Sequence, residues 1–88
     1  MTTYIKYIDY NSNSNIESYF YGSDFIIIEF KDNPKKYNED RYYKYTYFSA
    51  GHSHINEMIR LAKQNDGLNS YISKHKPKYQ IKSPNSIN

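Results

Sequence analysis

The side chains best suited to chemistry here are three histidines, a cluster of lysines near the C-terminus and an excess of tyrosine. His52 and His54 are two residues apart, a spacing at which both imidazoles can reach one metal ion from a loop. A closed zinc site needs four ligands. Nothing fixed completes such a set, and His75 is far along the chain. Two histidines beside a helix start more simply bond to solvent and backbone, so no metal and no other cofactor is expected. Ser49 and Ser53 lie near His52, yet a Ser–His pair would lack an orienting acid and an oxyanion hole. The chain has no Gly-rich phosphate loop, Gly-x-Ser-x-Gly elbow or His-Glu-x-x-His helix. With those parts missing, the expectation is a protein that is not an enzyme and has no catalytic residues.

Binding chemistry is better represented. Arg41–Phe48 reads RYYKYTYF. On a pleated strand Tyr43, Tyr45 and Tyr47 point one way, and Tyr42, Lys44, Thr46 and Phe48 the other. One of these faces must pack under helices. The other can meet solvent, where tyrosine interleaved with Lys44 and Arg41 suits base stacking, as in single-strand binders. The plainer reading is cross-strand aromatic packing without a ligand. Downstream, KHKPKYQIK sets Lys74, Lys76, Lys78 and Lys82 beside His75 and Tyr79. Lysines next to an aromatic fit phosphate contact; the plainer reading is a solvated terminus. The candidate binding residues are therefore Tyr42, Lys44, Lys74, Lys76, Lys78 and Tyr79.

These residues need a scaffold. Tyr4–Tyr10, rich in Tyr and Ile, reads as a strand, and Asn11–Asn15 as a turn. Ile16–Tyr21 reads as a second strand, Gly22-Ser23-Asp24 as a hairpin turn, and Phe25–Phe30 as a third strand. A loop around Pro34 leads to the tyrosine strand. After Gly51 the period changes: Ile55, Met58, Ile59 and Ala62 fall at i, i+3, i+4 and i+7, an amphipathic helix. Ser53 is the natural N-cap, and Glu57 is expected in the first turn. Asn65-Asp66-Gly67 ends this helix, with Gly67 able to turn left-handed. A short helix carrying Leu68, Tyr71, Ile72 and His75 runs to Pro77. The expected fold is α+β: a four-stranded antiparallel sheet, then two C-terminal helices packed on one face. One domain over residues 1–79 and a flexible basic and polar tail over 80–88 are expected.

Composition sets the outer limits. Eighty-eight residues make one domain with a small core. No cysteine is present, which removes disulfides and thiolate chemistry and favours a reducing cytoplasm. The longest aliphatic stretch is Ile26-Ile27-Ile28, far short of a membrane span, and the N-terminus has no signal-peptide run. Twelve tyrosines and eleven isoleucines stand beside no valine or tryptophan, and ten lysines beside two arginines. Part of this skew reads as codon bias in an AT-rich bacterium, phage or mobile element. The net charge of +3 is uneven: residues 67–88 hold four lysines and no acid.

The order of elements and several residues resemble the KTSC domain, a small domain found alone in bacteria and phages and at the C-terminus of some lysyl-tRNA synthetases. Ile5, Ile8, Tyr10 and Asn11 match its first strand, with Asn11 where the family has aspartate. Ile28, Glu29 and Phe30 match a hydrophobic-Glu/Lys-Phe step, and Tyr43 and Tyr45 a Tyr-x-Tyr strand. Gly67, Tyr71, Ile72 and His75 resemble the closing segment. The resemblance implies a small binding module without catalytic residues.

Two expectations follow. The first is a binding module associated with nucleic acid or a nucleic-acid-handling protein. The second is a phage or mobile-element accessory protein that inhibits a host defence protein or sequesters a nucleotide second messenger. Neither involves a membrane, and homo-oligomerisation stays open.

Overall fold

Phe25–Phe30 is almost entirely apolar and lies at the middle of the sheet. The computed structural model describes residues 3–8, 14–32 and 39–87. Residues 11–13 of the expected Asn11–Asn15 turn, the matches at Tyr10 and Asn11, and residues 33–38 of the loop around Pro34 lie outside these residues. The strands are β1 (Ile5–Lys6), β2 (Ile16–Tyr21), β3 (Phe25–Phe30), β4 (Tyr42–Thr46) and β5 (Ile81–Ser83), with helices α1 (Tyr47–Ala50), α2 (His52–Lys63) and α3 (Leu68–His75) between β4 and β5. The strands pair antiparallel in the order β1-β2-β3-β4-β5. The sheet thus has five strands, not four, and the helices are an excursion between its last two. Residues 81–83, read from sequence as part of a tail, return to pair Tyr42 with Ser83 and Lys44 with Ile81.

Register assigns the two faces. Tyr19, Ile28 and Tyr43 stand across from one another, as do Tyr21, Ile26 and Tyr45; this row faces the helices. Ile16, Tyr19, Ile26, Ile28 and Tyr45 are buried there with Ile55, Met58, Leu61, Ala62 and Leu68. Phe30, Ile59, Tyr71 and Ile72 pack partly buried around them. The predicted helical spacing thus faces the core, with Leu61 added to it. A register shift between Ile16 and Ser18 marks a β-bulge, and the Tyr7 amide donates to the Glu17 carbonyl at 3.1 Å.

The other face is also partly covered. Phe20, Ile27 and Lys44 are cross-strand partners, and Ile27 is fully buried although it points away from the helices. Tyr4 lies 5.9 Å from Phe20 and 5.7 Å from Tyr42, and Phe20 lies 5.9 Å from Phe25. The Tyr4 hydroxyl donates to the Ile87 carbonyl at 2.9 Å, so the chain beyond β5 reaches this face.

The strand-to-helix junction differs from the sequence reading. Tyr47 and Phe48 belong to α1, not to β4. Thr46 and Ser49 cap α1 reciprocally, each side chain accepting from the other's amide. Gly51, at φ +93° and ψ 156°, then turns the chain into α2, a conformation that suits glycine alone. Helix α2 consequently starts at His52, so Ser53 is inside it and makes no cap bond. Glu57 is in the second turn and pairs with Arg60 on the helix surface. Gly67 is left-handed at φ +83°, as its sequence context suggests, but it stands at the start of α3, while α2 ends at Lys63 with Gln64 as its C-cap.

Candidate functional site

Helix α3 covers only part of the tyrosine face of the sheet. Its C-terminal end, the ends of β3 and the start of β4 leave a groove of about 610 Å³. Phe30, Tyr43, Tyr45 and Tyr79 supply aromatic surface, with Ile72 from α3. Tyr43 is the centre: Phe30 meets it edge-on at 5.3 Å, Tyr79 edge-on at 5.0 Å, and Tyr45 lies roughly parallel at 6.5 Å. Burial pushes the Tyr45 hydroxyl far above the usual tyrosine range, with Tyr43 and Tyr79 adding to it, so this ring stays neutral and apolar.

The rim is charged. Lys31, Arg41 and Lys76 line it together with Asp32, Glu39 and Asp40. Arg41 is committed to Glu29, its guanidinium 2.7 Å from the carboxylate. Glu29 also accepts from the Ser18 and Tyr42 hydroxyls. Lys82 lies 3.7 Å from Asp40 and 5.6 Å from the centre of the Tyr79 ring. The Tyr79 hydroxyl and then Asp40 raise the Lys82 pKa. Lys76 caps α3 in a left-handed conformation at φ +47°, its amide donating to Ile72 at 2.8 Å. Lysine seldom takes that conformation, and Pro77 behind it is buried. The α3 terminus is thereby turned sharply, with Lys76 and Tyr79 both lining the groove.

The six candidate residues do not form one surface. Lys76 and Tyr79 line the groove. Lys74 and Lys78 are exposed on the same basic segment. Tyr42 and Lys44 lie across the sheet: the Tyr42 hydroxyl donates to Glu29 at 3.1 Å, and the Lys44 ammonium sits 4.9 Å from the Phe25 ring centre. Nothing in the sequence marks Tyr43, Tyr45 and Phe30 as binding residues. The alternation of RYYKYTYF separates the two faces but does not show that the helices leave the second one partly open.

The histidines go to different neighbours. His52 stacks on Tyr47 at 3.8 Å. His54 Nδ1 shares a 2.6 Å hydrogen bond with the Tyr71 hydroxyl, and His75 packs on Tyr71 at 4.3 Å. Among the described residues no three His, Cys, Asp or Glu side chains are grouped to hold a metal ion. The Ser49 hydroxyl donates to the Lys78 carbonyl at 2.8 Å. Among the described residues no helix is long and apolar enough to cross a membrane.

Together these features define an α+β domain with an aromatic groove beside a basic segment. No family model, curated protein or solved structure matches the chain, so a KTSC relationship stands as a proposal.

Proposed function

We propose that this chain is a non-enzymatic binding module for single-stranded nucleic acid, or for the nucleic-acid component of a larger machine, acting in the cytoplasm. One observation carries the reading. Lys76 and Tyr79 of the acid-free C-terminal segment line the same groove as Tyr43. A flat base can lie against tyrosine while lysines outside the groove meet phosphates, and stacking of this kind tolerates any sequence. The KTSC-like order of residues supports a binding module as well. Lys74 and Lys78, exposed on either side of Lys76, would add phosphate contacts. Tyr42 and Lys44 are left out of the binding role, since Glu29 and Phe25 engage them.

The groove's volume also favours a second reading. About 610 Å³ lies within the range of small-molecule sites, which suits a nucleotide sequestered by a phage or mobile-element protein. Titration separates the two. Labelled single-stranded RNA and DNA, and separately mononucleotides, are added at two salt concentrations. A nucleic-acid module binds the strands more tightly than the mononucleotides, and its affinity falls with salt as counterions are released. Binding of mononucleotides alone would select the sequestration reading, and binding of none at low salt would remove both.

A further inference from the structure

Phe48 is 94 % exposed, and two acid-free stretches of the chain meet beside the helix that carries it. Between Arg41 and Asn56 the chain has no acid, and there is none after Asp66. These two stretches are far apart in sequence, yet the structure joins them along β4 and β5 and again at α1. The Gln80 amide donates to the Lys44 carbonyl at 2.7 Å, the Thr46 hydroxyl to the Gln80 side chain at 2.7 Å, and the Ser49 hydroxyl to the Lys78 carbonyl at 2.8 Å. Phe48 therefore stands between residues tied to the 78–80 segment and residues that start α2. Lys78 and His52, both exposed, come from those stretches. One acid, Asp24 at the β2–β3 turn, also meets α1, its carbonyl accepting from the Tyr47 amide at 3.0 Å.

The ring is held out by a fixed support. The reciprocal Thr46–Ser49 cap, the Tyr47–His52 stack at 3.8 Å and the turn at Gly51 pin the four-residue helix that carries it. A single exposed apolar side chain is ordinary. A nearly fully exposed phenylalanine on a pinned turn, in a surface assembled from acid-free segments, is suited to a polyanion that also carries flat apolar rings.

We infer that Phe48 is a second base-stacking position, outside the groove, and that the ligand is therefore an oligonucleotide strand and not a mononucleotide. This rests on the nucleic-acid reading of the groove and extends it to a footprint of more than one nucleotide. The strand's phosphates meet the lysines of the 76–78 segment, whose Lys78 carbonyl is tied to Ser49 of α1. Ring stacking on Phe48 adds affinity without adding charge.

The test uses the full chain, its Phe48→Ala and Phe48→Tyr variants, and three probes: a labelled single-stranded RNA, an abasic strand of equal length, and adenosine monophosphate. Circular dichroism checks that the variants fold, as expected for an exposed side chain. Phe48→Ala should weaken the RNA roughly 5- to 150-fold, with an unchanged salt slope. It should leave the abasic strand and adenosine monophosphate unaffected, and Phe48→Tyr should retain most of the RNA affinity. Equal RNA binding by wild type and Phe48→Ala would overturn the inference while leaving the groove reading intact. Equal losses on RNA and on the abasic strand, or a loss on adenosine monophosphate, would overturn it too. A wild-type chain that binds no strand at low salt overturns this inference together with the reading it rests on.

Discussion

On the helix side of β4, Tyr45 is 3 % exposed and its neighbour Tyr43 is half-buried at the groove. On the other side, Tyr42 is half-buried against Tyr4 and spends its hydroxyl on Glu29. One short strand thus uses tyrosine as core, as groove floor and as part of a polar network. The difference comes from what lies above each ring. Tyr45 is packed into the core cluster with Ile55 and Met58 of α2, Tyr43 is left at the groove beside the end of α3, and Tyr42 hydrogen-bonds to Glu29, which also binds Arg41 and Ser18. A tyrosine can fill all three places because it combines a large apolar area with one polar group. The lesson is that exposure of an aromatic strand is set by where the covering helices end, not by the strand's own alternation.

That comparison can be broken most strongly at the sealed end. Met58→Ala should destabilise the domain by about 2–5 kcal/mol, because Met58 is completely buried between α2 and the sheet. Urea denaturation at fixed pH measures this.

The polar network comes next. Glu29→Ala removes one carboxylate that accepts from Ser18, Arg41 and Tyr42. A loss of about 1–3 kcal/mol is expected from the stranded donors, kept modest because the Arg41 side chain is 30 % exposed. Tyr42→Ala should lower stability by a similar amount and leave ligand affinity unchanged. A fall in affinity with no fall in stability would return Tyr42 to the binding site.

At the groove the pattern should invert. Tyr79→Ala should cost roughly 1–3 kcal/mol in binding single-stranded nucleic acid, with a nearly unchanged salt slope. Lys76→Ala should instead flatten the salt dependence by about one counterion. Neither should shift the urea midpoint as far as Met58→Ala does. If both variants bind as wild type does, the groove is packing and not a site.

Alkaline pH sharpens the contrast between the tyrosines. The Tyr45 pKa is raised in the folded state. Its contribution is therefore full below the ordinary value of 10.0 and is lost as pH rises toward the higher folded value. Stability should decline above that ordinary value, and Tyr45→Phe should reduce the decline. Phenolate absorbance should show Tyr45 ionising only as the fold opens.

The smallest effect is expected at Glu57. It is half-exposed on the helix surface, and its hydrogen bond to Arg60 holds the carboxyl below the usual range. The favourable contribution is present above the unfolded carboxyl pKa and fades as pH falls through the folded one. Exposed pairs of this kind contribute little. Carbon-detected NMR titration should show the depressed value, while Glu57→Gln leaves the urea midpoint nearly unmoved at neutral pH.

Much of this architecture is legible in residue order alone. Ile16–Tyr21 and Phe25–Phe30 read as strands because apolar runs flank a Gly-Ser-Asp turn. Ile55, Met58 and Ala62 read as a core-facing stripe because a period of 3.6 is a local property. What could not be read there is non-local. Ile81–Ser83 is too short to show strand periodicity, and it becomes β5 only because β4 presents a free edge when the chain returns from α3. Ser53 has the chemistry of a cap, but the turn is made at Gly51, whose backbone freedom decides where α2 begins. Tyr42 and Tyr79 look equally suited to stacking as residues, yet the sheet puts them on opposite faces. Local pattern determined which residues form strands and helices and which of their sides are apolar, because those depend on chain geometry within a few residues. Only the tertiary structure decided which tyrosines meet a groove and that two acid-free stretches share one corner, because both depend on where distant segments pack.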